Sequence, residues 1–167
     1  YMYLTTCRGV DETLAGYAVT GYWGMLTLGR FVLGFLANRM GNIRQLRFSM
    51  GGAVFCGILM LVPQTEISLT GFILCGFMLA SVYPSMMHIA PERFNEATAA
   101  TVIGFQGGGA TLGVAICPVL LGIAATYSSF MVLPILLLLT AVAMLYLEIL
   151  VDGIQGEKNR VGVQGMD

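Results

Sequence analysis

Charge is scarce in this chain. Of 167 residues, 8 are Lys or Arg and 9 are Asp or Glu, together 10%, against 57% hydrophobic residues and a mean hydropathy of +0.82. A soluble domain carries roughly 25% charged residues, and so few cannot coat a water-facing surface of this size. The same excess of apolar side chains excludes disorder in water. A net charge of −1 offers no basic face for nucleic acid. The cysteines Cys7, Cys56, Cys75 and Cys117 are far apart, without a CxxC or Cys/His cluster, so no zinc site or disulfide framework is indicated. No Asn-x-Ser/Thr acceptor and no signal peptide is visible. Because the row opens on Tyr1, the chain is expected to begin inside a longer one.

Catalytic signatures are lacking too. There is one histidine, no HExxH, no GxSxG and no paired carboxylate. An intramembrane enzyme would need such groups, so the chain is expected not to be an enzyme and to need no metal or cofactor. No Asp or Glu falls at the centre of an apolar run. A carboxylate coupling transport to a proton would therefore lie outside these residues.

What is present is apolar length. A crossing helix needs about 20 residues for ~30 Å of hydrocarbon at ~1.5 Å each. Between Glu96 and Glu148 stand 51 residues without Asp, Glu, Lys, Arg or His. One helix that long would run about 76 Å, so it must fold back at the only polar break, 125–129. That places helices at 98–124 and 130–150, with earlier runs at 13–37, 46–63 and 67–89. Tyr1–Cys7 is too short to span and reads as the end of a helix. The expectation is five full crossings plus a stump over residues 1–151, followed by a disordered tail at 152–167.

Orientation follows from the arginines and lysines. Arg39, Arg44, Arg47, Arg93, Lys158 and Arg160 share one side, and Arg8 stands alone on the other. Loops 38–47 and 91–97 and the C-terminus are thus expected in the cytoplasm, with the plasma membrane preferred over an organelle. The outer connections, 64–66 and 125–129, leave no room for a folded domain outside the bilayer.

Most of the 22 glycines lie within the apolar runs. Gly16, Thr20 and Gly24 are four apart, as are Gly104 and Gly108, and Gly109 and Gly113. Small residues at this spacing let helices pack closely in lipid, and equally suit helices that slide. Gly107-Gly108-Gly109 lacks the Gly-Lys-Ser/Thr ending of a phosphate loop. It should loosen its helix, at about 1 kcal/mol per glycine relative to alanine, with Pro118 removing a further backbone bond.

Polar side chains at depth are the candidate solute ligands. Trp23 and Thr27 fall near the midplane of the first full helix, and Gln106 and Thr111 in the inner and middle part of the fourth. Amides suit hydroxyl pairs and aromatic faces suit C–H surfaces, so a neutral polyol could be held there. For Gln106 an interhelical hydrogen bond is the competing role. Arg30 reads as an anchor at the cytoplasmic end, with substrate contact as its alternative, and His88 as an interfacial histidine closing a helix.

The stretch Gly34-Phe35-Leu36-Ala37-Asn38-Arg39-Met40-Gly41-Asn42-Ile43-Arg44 resembles the Gly-x-Leu-Ala-Asp-Arg-x-Gly-Arg-Arg signature of the major facilitator superfamily. Gly34, Leu36, Ala37, Arg39 and Gly41 match, Arg44 is basic one place late, and Asn38 replaces the acidic residue. Gly21-Tyr22-Trp23-Gly24 with Gly29-Arg30, Tyr83-Pro84 and the glycine run before Pro118 are similar to helices eight, ten and eleven of fucose-permease-like sugar transporters and their fungal relatives. The resemblance implies an all-α membrane protein: the C-terminal six-helix bundle of a major facilitator fold, its first helix truncated. It implies a secondary carrier of a small polar solute, a sugar the candidate, working by alternating access with an N-terminal half of the same chain. It also assigns gating to Gly34, Asn38, Arg39, Gly41 and Arg44. Arg39 is expected to pair with lipid phosphates or with Glu92 and Glu96. A solute sensor or scaffold built on the same bundle is the alternative.

Overall fold

The structure is a computed structural model that describes residues 1–127 and 129–164, with side chains to Ile154. Among these residues all regular secondary structure is helical. A π-helical turn, Tyr3–Cys7, precedes α1 (Glu12–Met40), α2 (Asn42–Leu61), α3 (Thr65–Leu79), α4 (Val82–Arg93), α5 (Glu96–Tyr127) and α6 (Val132–Gln164). Asp11 caps α1 by accepting the Thr13 amide at 3.0 Å, the ordinary use of an Asp ahead of an apolar run.

The expected loop 38–47 is reduced to one residue. Asn38 and Arg39 lie in the last turn of α1, Arg44 and Arg47 in the first turns of α2, and Gly41 alone links them with φ +85°. An L side chain rarely adopts that backbone, which explains the glycine of the signature.

The run expected as one helix at 67–89 is two. It breaks at Ala80–Ser81, four residues before Pro84. A proline cannot donate to the carbonyl four residues back, and its ring crowds that carbonyl, here Ala80. The triple glycine behaves otherwise: α5 is continuous through Gly107–Gly109 and Pro118. The last helix continues to Gln164, so residues 152–164, expected as an irregular tail, prolong α6, and 165–167 lie outside the described residues.

Among the described residues, three helices are both long and apolar enough to cross a bilayer: Thr65–Arg93 (α3 with α4), Glu96–Tyr127 and Val132–Ile154. Five were expected. Helices α1 and α2 reach the needed length, 29 and 20 residues, but the first is diluted by glycine, threonine and Arg30 and the second by Arg44, Gln45 and Arg47.

Helix α3 packs between α1 and α2, α6 lies along α2, and α5 rests on α4 and more lightly on α6. Closest approach occurs at glycines. A Cβ at Gly29 would stand 2.7 Å from the Ala80 Cβ and from the Phe77 carbonyl oxygen, and one at Gly76 would strike the Tyr22 carbonyl. The four-spaced glycines Gly16, Gly24, Gly104, Gly108, Gly109 and Gly113 have nothing within 4 Å of that position. Close packing therefore uses other glycines than their spacing suggested, because sequence spacing marks a helix face without naming its neighbour.

The N-terminal turn is part of the core. Tyr3 and Leu4 are buried with Val10, Ala15, Ala18 and Met60. The Tyr3 hydroxyl meets Ser68 Oγ at 2.7 Å and donates to the Met60 carbonyl, while Arg8 Nε donates to Tyr3 Oη at 3.0 Å and an Arg8 Nη to the same carbonyl. That carbonyl ends α2, where no helical partner exists.

Candidate functional site

At the opposite, arginine-rich end, polar groups gather in three places. The first is a buried triad between α2 and the α3–α4 break. Gln45 Nε2 donates to Ser49 Oγ at 3.3 Å and Ser81 Oγ at 3.2 Å, and the two hydroxyls are 2.7 Å apart. All three residues are buried, and Gln45 Oε1 finds no partner among the described residues. In an apolar interior such mutual satisfaction fixes one alignment of the helices.

The second place is ionic. Arg93, at the end of α4, grips Glu148 of α6 with Nη2–Oε1 2.7 Å and Nη1–Oε2 3.1 Å, and reaches Asp152 one turn on at 3.4 Å. Arg47 of α2 joins Asp152 at 2.6 Å and Glu148 at 3.9 Å. Arg93 and Glu148 side chains are each only 9% exposed. Two cations and two carboxylates thus tie the start of α2 and the end of α4 to the middle of α6. The network escaped sequence reasoning, although Glu148 and Asp152, four apart on one helix face, were its available signal.

The third is a cleft of about 300 Å³ between α1 and the α3–α4 break. Arg30, Gly34 and Asn38 line it from α1, Asn42 from α2, and Ser81, Pro84, Ser85 and His88 from the other wall. The break at Ala80–Ser81 lies in the wall of this cleft.

The structure places the expected ligands apart. Trp23 is 60% exposed and meets Tyr22 edge-on, with centroids 5.6 Å apart. The Thr27 hydroxyl donates to the Trp23 carbonyl at 3.0 Å, and that of Thr111 to the Gly107 carbonyl at 3.0 Å. Both threonines spend their donor within their own helix. Gln106 borders a small cavity of about 110 Å³ beside Arg93 and Glu148, its Oε1 buried without a partner. Trp23 and Thr27 stand on α1 and Gln106 and Thr111 on α5, helices whose main neighbours differ. Of the loop residues, Gly34 and Asn38 line the cleft, Gly41 makes the turn, and Arg39 and Arg44 are exposed. Glu92, an expected partner of Arg39, instead accepts from Asn42 Nδ2 at 2.6 Å. Arg30 and His88, read from sequence as an anchor and a helix end, share the cleft.

An all-helical bundle whose described residues include three helices long and apolar enough to cross a bilayer is the architecture of an integral membrane protein. The profile of the Major Facilitator Superfamily matches residues 1–162, and the chain belongs to that family of secondary transporters. Comparison with curated proteins and with solved structures gave no match.

Proposed function

We propose that this chain is the C-terminal part of a carrier that moves a small polar solute, with a sugar as the candidate, by alternating access. An N-terminal half of the same polypeptide would supply the facing wall. The observation that carries this reading is the cleft at the α3–α4 break, a polar opening of about 300 Å³ lined by Arg30, Asn38, Asn42, Ser81, Ser85 and His88. Interrupted helices at membrane depth are tolerated where their backbone meets protein or a watery cavity, and transporters bind solutes at such interruptions.

The ionic cluster supports a gating role at the same end. Charges that fasten α2, α4 and α6 hold one arrangement of that end, and a rocking motion would have to loosen them. Gly41, the single-residue link between α1 and α2, is the natural pivot. We further propose that the arginine-rich end and the C-terminus face the cytoplasm and that the carrier resides in the plasma membrane.

Uptake by the full-length chain in proteoliposomes tests the reading, using labelled sugars and other small polar solutes with and without an imposed proton gradient. Saturable uptake supports a carrier, and its response to the gradient reports proton coupling. Specific binding without uptake across the panel, by protein shown to be folded, would establish a sensor instead.

A further inference from the structure

The cleft is more selective than a generic polar opening. Arg30 stands ten residues before the end of α1 at Met40, about 15 Å along the helix axis. Among the described residues it makes no ion pair and no side-chain hydrogen bond, and no carboxylate lines the cleft it enters. Glu92, which Asn42 engages, is not part of that lining. Arg30 is exposed where it borders the cleft, and an arginine within a helix of a membrane bundle characteristically faces a polar cavity or a charged partner.

The rest of the lining points to the charge of that partner. Ser85 is 3% exposed and its hydroxyl has no hydrogen-bond partner among the described residues, although it lines the cleft. The neighbouring Ser81, by contrast, is engaged by Gln45 and Ser49. Asn38, Asn42 and His88 add further groups able to donate. A fixed cation, an idle hydroxyl and several donors, with no anion among them, form a receptor for an oxyanion.

We propose that the cleft binds the oxyanion group of a small solute, a carboxylate in the first instance, between Arg30 and Ser85. The transported molecule would then be a sugar acid or another organic acid rather than a neutral sugar. This rests on the carrier reading for the occupant being the solute; the oxyanion site itself does not. The guanidinium presents two parallel N–H groups to a carboxylate, which a single ammonium cannot reproduce.

The test measures binding rather than transport, so its failure is separate from failure of the carrier reading. The full-length chain is purified and placed in nanodiscs of phosphatidylcholine alone. Calorimetry and thermal melting are then run with gluconate, lactate, inorganic phosphate and, as the uncharged control, glucose. At least one organic acid should bind saturably and raise the melting temperature where glucose does not. Arg30→Gln should weaken that binding at least ~10-fold, equivalent to 1.4 kcal/mol, Arg30→Lys should recover part of it, and Ser85→Ala should weaken it several-fold. The Ser85 and Lys variants keep the test decisive if Arg30→Gln does not fold. Equal response to gluconate and glucose, or acid binding indifferent to all three substitutions, would overturn the proposal. Stabilisation by phosphatidylserine or phosphatidylinositol nanodiscs alone, with no soluble anion effective, would overturn it in favour of a lipid headgroup. A loss of stability in Arg30→Gln, with no anion effect in the parent protein, would identify a structural ion pair and overturn it as well.

Discussion

Arg93 and Glu148, 55 positions apart in the chain, form a two-pronged ion pair at 2.7 and 3.1 Å with both side chains 9% exposed. It joins the last turn of α4 to α6. Ion pairs this sheltered contribute less to net stability than their Coulomb attraction suggests, because both groups lose hydration. Breaking one is nevertheless costly, since the remaining charge stays sheltered and alone.

Glu148→Ala is therefore expected to destabilise the bundle by about 2–3 kcal/mol, below the 3–5 kcal/mol of a fully buried pair because Asp152 remains to engage both arginines. A double-mutant cycle with Arg93→Met, followed by thermal unfolding in detergent, checks this. The double variant should recover part of the loss; additive losses would show that the pair is not coupled.

Gly76→Ala should be costly where Gly108→Ala is not. A methyl at Gly76 would occupy the Tyr22 carbonyl and push α1 from α3, whereas nothing lies within 4 Å at Gly108. Overpacking costs about 1–3 kcal/mol, while alanine at an open helical position gains up to ~1 kcal/mol in propensity. Melting temperatures of the two variants should move in opposite directions, or the second not at all.

Tyr3→Phe should lower stability by about 1 kcal/mol, the usual worth of a lost hydrogen bond. The hydroxyl connects Arg8, Ser68 and the end of α2. Since Ser68 keeps its own bond to the Met60 carbonyl at 3.2 Å, the loss is partial, and Tyr3→Phe combined with Ser68→Ala should cost more than either. A combined loss no greater than that of Tyr3→Phe would locate the effect in the tyrosine alone.

Arg39→Ala is expected to lower transport while leaving the protein at the cell surface. Its side chain is exposed in the last turn of α1, so little packing is lost. Its charge still complements the helix C-terminus and the lipid phosphates. Uptake kinetics and surface labelling, measured together, decide it; unchanged kinetics would remove the residue from the gate.

The helical class, the bilayer as solvent and the approximate turns were legible because each depends on sums over neighbouring residues. Fifty-one residues without a charge between Glu96 and Glu148 admit few other readings in water or lipid. The loop signature around Gly41 was legible for a similar reason, since one backbone conformation demands glycine there. The site was much less so. Trp23, Thr27, Gln106 and Thr111 stand out in the sequence as polar side chains within apolar runs, yet both threonines bond to their own helices and Trp23 lies open. Depth in a crossing says nothing about which side of the helix is covered.

The sequence by itself determined that this protein is a helical membrane bundle, because hydrophobic transfer is additive along a chain and reports itself in any sufficiently long window. Only the tertiary structure decided that the helix before Pro84 is interrupted at Ala80–Ser81, that Arg30 and Ser85 share one cleft, and that Arg47 and Arg93 meet Glu148 and Asp152. These are relations between helix faces separated by tens of residues, and their energies depend on distance and burial, which no local pattern encodes.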